Sequence, residues 1–177
     1  MFGQYYTLDA SALGLEFQVN ELEEGNQYRP DVAMAEDCSA AVVYENSDLD
    51  ERVFGVLATL LDPDGQAIGS VRLHEDLPGS QMHAAVAALD SGFLALWSGP
   101  EADSVESTIH GRLLGAGDGH DFLVAPLEST IWRLRPDVAW QAGLTVAVWQ
   151  QTSASGRYQI VVAPDPAPGR QPVGADE

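Results

Sequence analysis

The sequence restarts at an interval of 53 residues, and this repeat limits the possible folds more than any other feature of the chain. Three similar segments begin at Pro30 (PDVAMAEDCSAAVVYE), His83 (HAAVAALDSGFLALW) and Pro136 (PDVAWQAGLTVAVW). Self-similarity at a fixed period is typical of repeat proteins, in which neighbouring units stack and share one core. The three segments are therefore expected to occupy equivalent positions in three structural units.

Each unit is predicted to contain four short strands. The repeated segments hold two apolar runs separated by a small turn, which is typical of a hairpin. A third run, RVFGVLATLLD, leads into the sequence DPDG at 62–65, which suits a type I turn, and a fourth run, IGSVRLHE, alternates apolar and polar residues. The alanine-rich stretch from Met82 to Leu89 has counterparts that begin with proline, so we predict a strand there rather than a helix.

The order of these short motifs also resembles a known class of repeats. P-D-V-A, an apolar run ending in Trp, V-F-G, D-P-D-G and A-I-G follow one another before the next unit begins. This order is similar to the β-propeller-type repeats that occur in tandem in many large secreted or surface-attached bacterial proteins. The resemblance implies an all-β, propeller-like fold and an extracellular or cell-surface location, and it implies no particular ligand.

One repeat domain is predicted at residues 1–163, with units of about 2–53, 54–109 and 110–163 and a flexible Pro/Gly-rich tail at 164–177. The opening runs FGQYYTLD and LGLEFQVNE match third and fourth strands and are expected to complete a blade. Propellers typically have four to eight blades. Three four-stranded blades per chain are therefore predicted to form a six-bladed ring as a homodimer, or to be part of a larger propeller.

Composition argues against two classes of partner. The chain has 27 Asp and Glu against 8 Lys and Arg, all of them Arg, so its net charge is −19. Such an acidic protein repels nucleic acid and anionic lipid headgroups. No apolar run reaches the roughly 18 residues of a membrane span, and no signal peptide is recognisable. Cys38 is the only cysteine, so neither an internal disulfide nor a cysteine-based zinc site is expected.

Recurring aromatic residues are the best candidates for ligand binding. Tyr44, Trp97 and Trp149 each end the second strand of a unit, where they either stack on sugar rings in clefts between blades or fill the gap between neighbouring blades. Three further candidates for a ligand site or a subunit contact occur only in the third unit: Trp132, Arg133 and Trp140.

Motifs for catalysis and metal binding are weak. The spacing of Asn46, Asp48 and Asp50 is similar to the start of a calcium loop, but the glycine expected next is Glu51, and an acidic hairpin loop is the alternative. The four histidines lack metal-ligand spacing. We therefore expect no enzyme and no cofactor. The predicted function is non-enzymatic, lectin-like carbohydrate binding at repeated clefts, and the alternative is a structural or protein-interaction module without a small-molecule ligand.

Overall fold

The computed structural model describes residues 1–21, 23–47, 54–74, 79–101, 105–115, 119–125 and 130–164. Within these ranges all regular structure is β, in thirteen strands that form four antiparallel sheets. The predicted all-β fold is confirmed. None of the described residues belongs to a helix that could cross a membrane.

The strands follow chain order within each sheet. Sheet 1 contains β1 (Phe2–Tyr6) and β2 (Ala12–Gln18). Sheet 2 contains β3 (Asn26–Met34), β4 (Ala40–Ser47), β5 (Phe54–Leu61) and β6 (Ala67–Arg72). Sheet 3 contains β7 (Met82–Ala88), β8 (Phe93–Pro100), β9 (Ser107–Leu114) and β10 (Phe122–Leu123). Sheet 4 contains β11 (Arg133–Gln141), β12 (Leu144–Thr152) and β13 (Tyr158–Pro164).

Strand β7 confirms that the alanine-rich stretch is a strand and not a helix. The DPDG sequence forms the predicted turn, in which Gly65 takes a φ of +81° and its N–H donates to the carbonyl of Asp62 at 2.9 Å. A left-handed residue at this point suits glycine, which has no Cβ to clash with the backbone.

The first strands of sheets 2, 3 and 4 lie side by side at one edge of the stack. These strands are β3, β7 and β11, and β7 packs against both of the others. We call this the inner edge. Sheets that stack face to face and share an inner edge are characteristic of β-propellers.

Each inner-edge strand has a β-bulge at the same point. These bulges show which residues of the three repeated segments are equivalent. The shift falls between Tyr28 and Asp31, between Met82 and Ala85, and between Leu134 and Asp137. At these bulges Arg29, His83 and Arg135 adopt φ angles of 47°, 57° and 53°. His83 is therefore the counterpart of the two arginines, and the predicted match of His83 with Pro30 and Pro136 is wrong by one residue.

The recurring aromatic side chains fill the gaps between sheets. Trp97 is fully buried and packs with residues of sheet 2 such as Val43 and Val56, whereas Trp149 belongs to the core between sheets 3 and 4. Tyr44 is also fully buried. The prediction that these three rings bind a ligand is therefore corrected, because buried rings offer no face to a sugar. Their large side chains instead fill the wide spaces between blades.

Polar contacts fix the orientation of the Trp97 ring. Its Nε1–H donates to Oε1 of Gln81 at 3.1 Å, and the His110 ring stacks on it with centroids 5.6 Å apart. Burial lowers the pKa of His110, partly opposed by its contact with the Gly99 carbonyl and by the charge of Glu101. His110 is therefore neutral at pH 7 and packs as part of the core.

Replacing Trp97 with alanine tests this packing role. We expect Trp97→Ala to lower the free energy of unfolding by about 3–5 kcal/mol, because it leaves a large cavity and removes the indole N–H that donates to Oε1 of Gln81. Urea denaturation followed by circular dichroism measures the change. The matched control is Trp132→Ala, whose ring is 44% exposed and should cost less than about 1 kcal/mol. Equal losses in the two variants would contradict the assignment.

Candidate active site

The bulges lie near the end of the stack where the inner-edge strands begin, while the turns at 35–39, 89–92 and 142–143 close the opposite end. Residues beside the connections of a rigid scaffold commonly carry function. This end of the inner edge is therefore where a site is expected.

Titratable side chains of sheets 2, 3 and 4 lie near these bulges. We call them the axial cluster: Arg29, Asp31, Glu45, His83 and Arg135. The left-handed backbone of Arg29, His83 and Arg135 is uncommon for residues other than glycine, and a following proline disfavours it further for both arginines. Strain of this kind concentrates at functional sites.

Glu45 is the centre of the axial cluster. Its carboxylate is fully buried, and Nη1 of Arg29 lies 2.8 Å from Oε2 and 3.1 Å from Oε1. The same Oε1 accepts a hydrogen bond of 2.8 Å from the backbone N–H of His83 in the next sheet. One carboxylate therefore ties an arginine of sheet 2 to the bulge of sheet 3.

Asp31 makes a second link across the same junction. Its Oδ2 accepts a hydrogen bond of 2.9 Å from the backbone N–H of Val86 on β7. The side chain is partly exposed, and Oδ1 has no partner among the described residues. The two N–H groups that donate to Glu45 and Asp31 belong to His83 and Val86, which are three residues apart on β7. Three residues of a strand span roughly 10 Å, so the two carboxylates contact β7 within about this distance of each other.

The imidazole of His83 is oriented by Ser98. Nδ1 lies 3.0 Å from the hydroxyl oxygen of Ser98, and that hydroxyl donates to the Met82 carbonyl at 3.0 Å. The hydroxyl oxygen therefore accepts from Nδ1–H, which assigns the proton to Nδ1 and leaves the Nε2 lone pair available.

The charge of His83 follows from its surroundings. Burial lowers its pKa most, Glu45 raises it, and Arg29 and Arg135 lower it further. The imidazole is consequently neutral at pH 7. A neutral imidazole with a free Nε2 is able to accept a proton.

The predicted aromatic and arginine sites do not form one surface. Trp132 is exposed and lines a cavity of about 320 Å³, whereas Trp140 lines a cavity of about 410 Å³ near the opposite end of β11. Eight residues of extended chain separate the two rings by roughly 26 Å. Arg133 is buried, and its Nε donates to Oε1 of Gln151 at 2.9 Å.

Of the three predicted calcium ligands, the described residues include only Asn46. Asn46 is buried, and its Nδ2 donates to the Glu24 carbonyl at 3.2 Å, so this amide belongs to the core. Asp48 and Asp50 lie outside the described residues. Within the described ranges, no group of three acidic, histidine or cysteine side chains is placed to hold a metal ion.

Sequence reasoning missed the axial cluster. The available signal was the repetition of R-P-D-V-A at 29–33 and 135–139, which places an arginine before each proline. Glu45 had no comparable signal, because it is one of 27 acidic residues and its burial depends on the junction between sheets.

Neither a protein-family model nor a curated protein matches the chain. Among solved structures, the chain is similar to the crystal structure of a thermostable family-43 glycoside hydrolase, with a TM-score of 0.53 and 10% sequence identity. The match covers 98% of this chain and 73% of the hydrolase chain. At this identity the similarity shows the fold, and the hydrolase has a β-propeller fold.

The comparison corrects the predicted function. The sequence predicted a non-enzymatic binding or assembly module, and it predicted no enzyme. The similar structure belongs to an enzyme of carbohydrate chemistry, so both predictions are contradicted. The more general expectation of a propeller-like, carbohydrate-related fold is supported.

Replacing Glu45 tests the electrostatics of the axial cluster. Because the charge of Glu45 raises the pKa of His83, Glu45→Gln should lower that pKa further while keeping an oxygen for the His83 N–H. An NMR titration of the His83 ring measures this. The control is Glu36→Gln, which removes an exposed charge near the opposite end and should leave the titration unchanged.

Truncation of the same residue tests its structural role. Glu45→Ala leaves the His83 N–H without its acceptor and should lower the free energy of unfolding by roughly 1–3 kcal/mol.

For the Glu45→Gln prediction, an unaltered titration of the His83 ring would contradict the described contact between Glu45 and His83.

Proposed function

We propose that this chain is an enzyme that hydrolyses a glycosidic bond of a carbohydrate at the axial cluster. The observation that carries the proposal is the pairing of a partly exposed carboxylate, Asp31, with a neutral imidazole, His83, on the two sides of one sheet junction. The fold shared with a glycoside hydrolase supports the choice of substrate class.

Hydrolysis of a glycosidic bond needs two proton-transfer functions. One group protonates the leaving oxygen, and another activates water or attacks the sugar. Asp31 and His83 are the catalytic residues of the proposed mechanism. The Asp31 carboxylate attacks the anomeric carbon as the bond to the leaving oxygen breaks, and water supplies the proton that this oxygen takes up; Nε2 of His83 then accepts a proton from the water that hydrolyses the glycosyl ester and releases the Asp31 carboxylate. Both side chains are partly exposed, and each keeps one heteroatom, Oδ1 or Nε2, without a partner among the described residues.

Glu45 serves as a positioning residue in this mechanism. It is fully buried and therefore does not reach substrate, but its bond to the His83 N–H fixes the bulge that presents the imidazole. Its ion pair with Arg29 holds that guanidinium near the backbone of His83.

Substitution of the two proposed catalytic residues tests the mechanism. Asp31→Asn keeps an oxygen for the Val86 N–H, and His83→Gln keeps a polar side chain. We expect each to lower kcat/KM on a panel of aryl glycosides and neutral or acidic oligosaccharides by about 100-fold or more. Asp37→Asn, an exposed change in the turn after β3, is the control and should retain activity. Lack of wild-type turnover across the panel, or full activity in Asp31→Asn, would overturn the proposal.

We also propose that the four sheets are blades of one propeller and that a second copy of the chain completes the ring. Support comes from apolar side chains that remain exposed on the two outer sheets: Phe2, Leu13, Leu15, Ile160 and Val162. A neighbouring blade would cover these faces. Light scattering after size exclusion should give the mass of a dimer, and a purely monomeric mass at high concentration would refute this arrangement.

A further inference from the structure

The axial cluster places two arginines at the inner edge of a very acidic chain. Two of the six arginines in the described ranges, Arg29 and Arg135, occupy equivalent bulges of sheets 2 and 4, on either side of β7. The side chain of Arg29 is 60% exposed, and Arg135 is exposed. An acidic protein repels an anionic ligand unless positive groups are placed locally to receive it.

The two guanidinium groups differ in the hydrogen bonds that they already make. Arg29 uses Nη1 for Glu45, which leaves its Nη2 and Nε without partners among the described residues. Within the same ranges, the guanidinium of Arg135 has no hydrogen bond or ion pair. A guanidinium with unused donors in a strained, fixed backbone position is well suited to a planar anion.

The acidic neighbours define where such an anion can lie. Glu45 is paired with Arg29, so its charge is locally balanced. Asp31 lies at the junction of sheets 2 and 3, whereas Arg135 is on β11 in sheet 4. Arg135 therefore lies across β7 from the carboxylate of Asp31, so an anionic group bound by Arg135 is kept apart from Asp31.

We infer that the substrate carries a carboxylate, as uronic acid sugars do. Arg135 binds this carboxylate, and the Nη2 and Nε groups of Arg29 that Glu45 does not use add to the binding. This inference rests on the proposed function and names its substrate class. The planar fork of arginine matches a carboxylate through two parallel hydrogen bonds, and a sulfated sugar is the alternative anionic ligand that the experiment must distinguish.

Calorimetry with four probes tests the inference: digalacturonic acid, its methyl ester, neutral galactobiose and galactose 6-sulfate. We expect the acid to bind at least about tenfold more tightly than its ester or galactobiose, because the ester keeps the sugar and loses the charge. Galactose 6-sulfate should bind less tightly than digalacturonic acid, because the inferred ligand group is a carboxylate. The preference should weaken at high salt.

Two variants and one control locate the effect. Arg135→Gln should weaken binding of the acid by about tenfold and leave the ester unchanged, and Arg135→Lys should recover part of the loss because it keeps the charge without the fork. Arg157→Gln removes an exposed arginine from the turn between β12 and β13 and should behave as wild type.

The outcomes separate this inference from the proposed hydrolysis. Equal binding of acid and ester, tighter binding of the sulfated sugar, or the same loss in Arg157→Gln would overturn the inference. Hydrolysis of neutral oligosaccharides alone would overturn it while leaving the proposed function intact. Charge-selective binding that depends on Arg135, without turnover of any substrate, would support the inference and refute the hydrolase.

Discussion

The buried carboxylate of Glu45 is the interaction on which the inner edge depends. Edge strands leave backbone N–H groups without partners, and a buried N–H without an acceptor is costly. At the junction of sheets 2 and 3, side chains of sheet 2 supply the acceptors: Glu45 binds the N–H of His83, and Asp31 binds the N–H of Val86. The register of the two sheets is thereby fixed at the point where the proposed site lies.

The junction of sheets 3 and 4 lacks these two carboxylate acceptors, although the bulge recurs in β3, β7 and β11. The registers place Ser98 at the position of Glu45 and Ala85 at the position of Asp31, and neither side chain is a carboxylate. In sheet 4, Asp137 instead accepts from the N–H of its own neighbour, Val138, at 2.8 Å. The backbone therefore repeats from sheet to sheet, whereas the two carboxylates occur only at the junction of sheets 2 and 3, where the proposed site lies.

The sequence predicted the scaffold better than the site. Strand positions, including β7, follow from the period and from the prolines of equivalent segments, because both report on backbone geometry. The turn after β3 has five residues, 35–39, and the turn after β7 has four, 89–92, so a fixed period of 53 aligns equivalent residues with an error of one. This error hid the equivalence of Arg29, His83 and Arg135. The burial of Trp97 was equally ambiguous, since a ring at the end of a strand can face either a cleft or the next sheet.

The charge of the axial cluster depends on His83. With its imidazole neutral, the two arginines balance Asp31 and Glu45, so the cluster carries no net charge within a chain of net charge −19. Arg135 nevertheless lies across β7 from the two carboxylates, and a ligand that spans this strand meets both Arg135 and Asp31. Burial keeps the imidazole neutral, so Nε2 of His83 remains available as a proton acceptor. The same burial that stabilises the sheet junction therefore sets the protonation state on which the proposed chemistry depends.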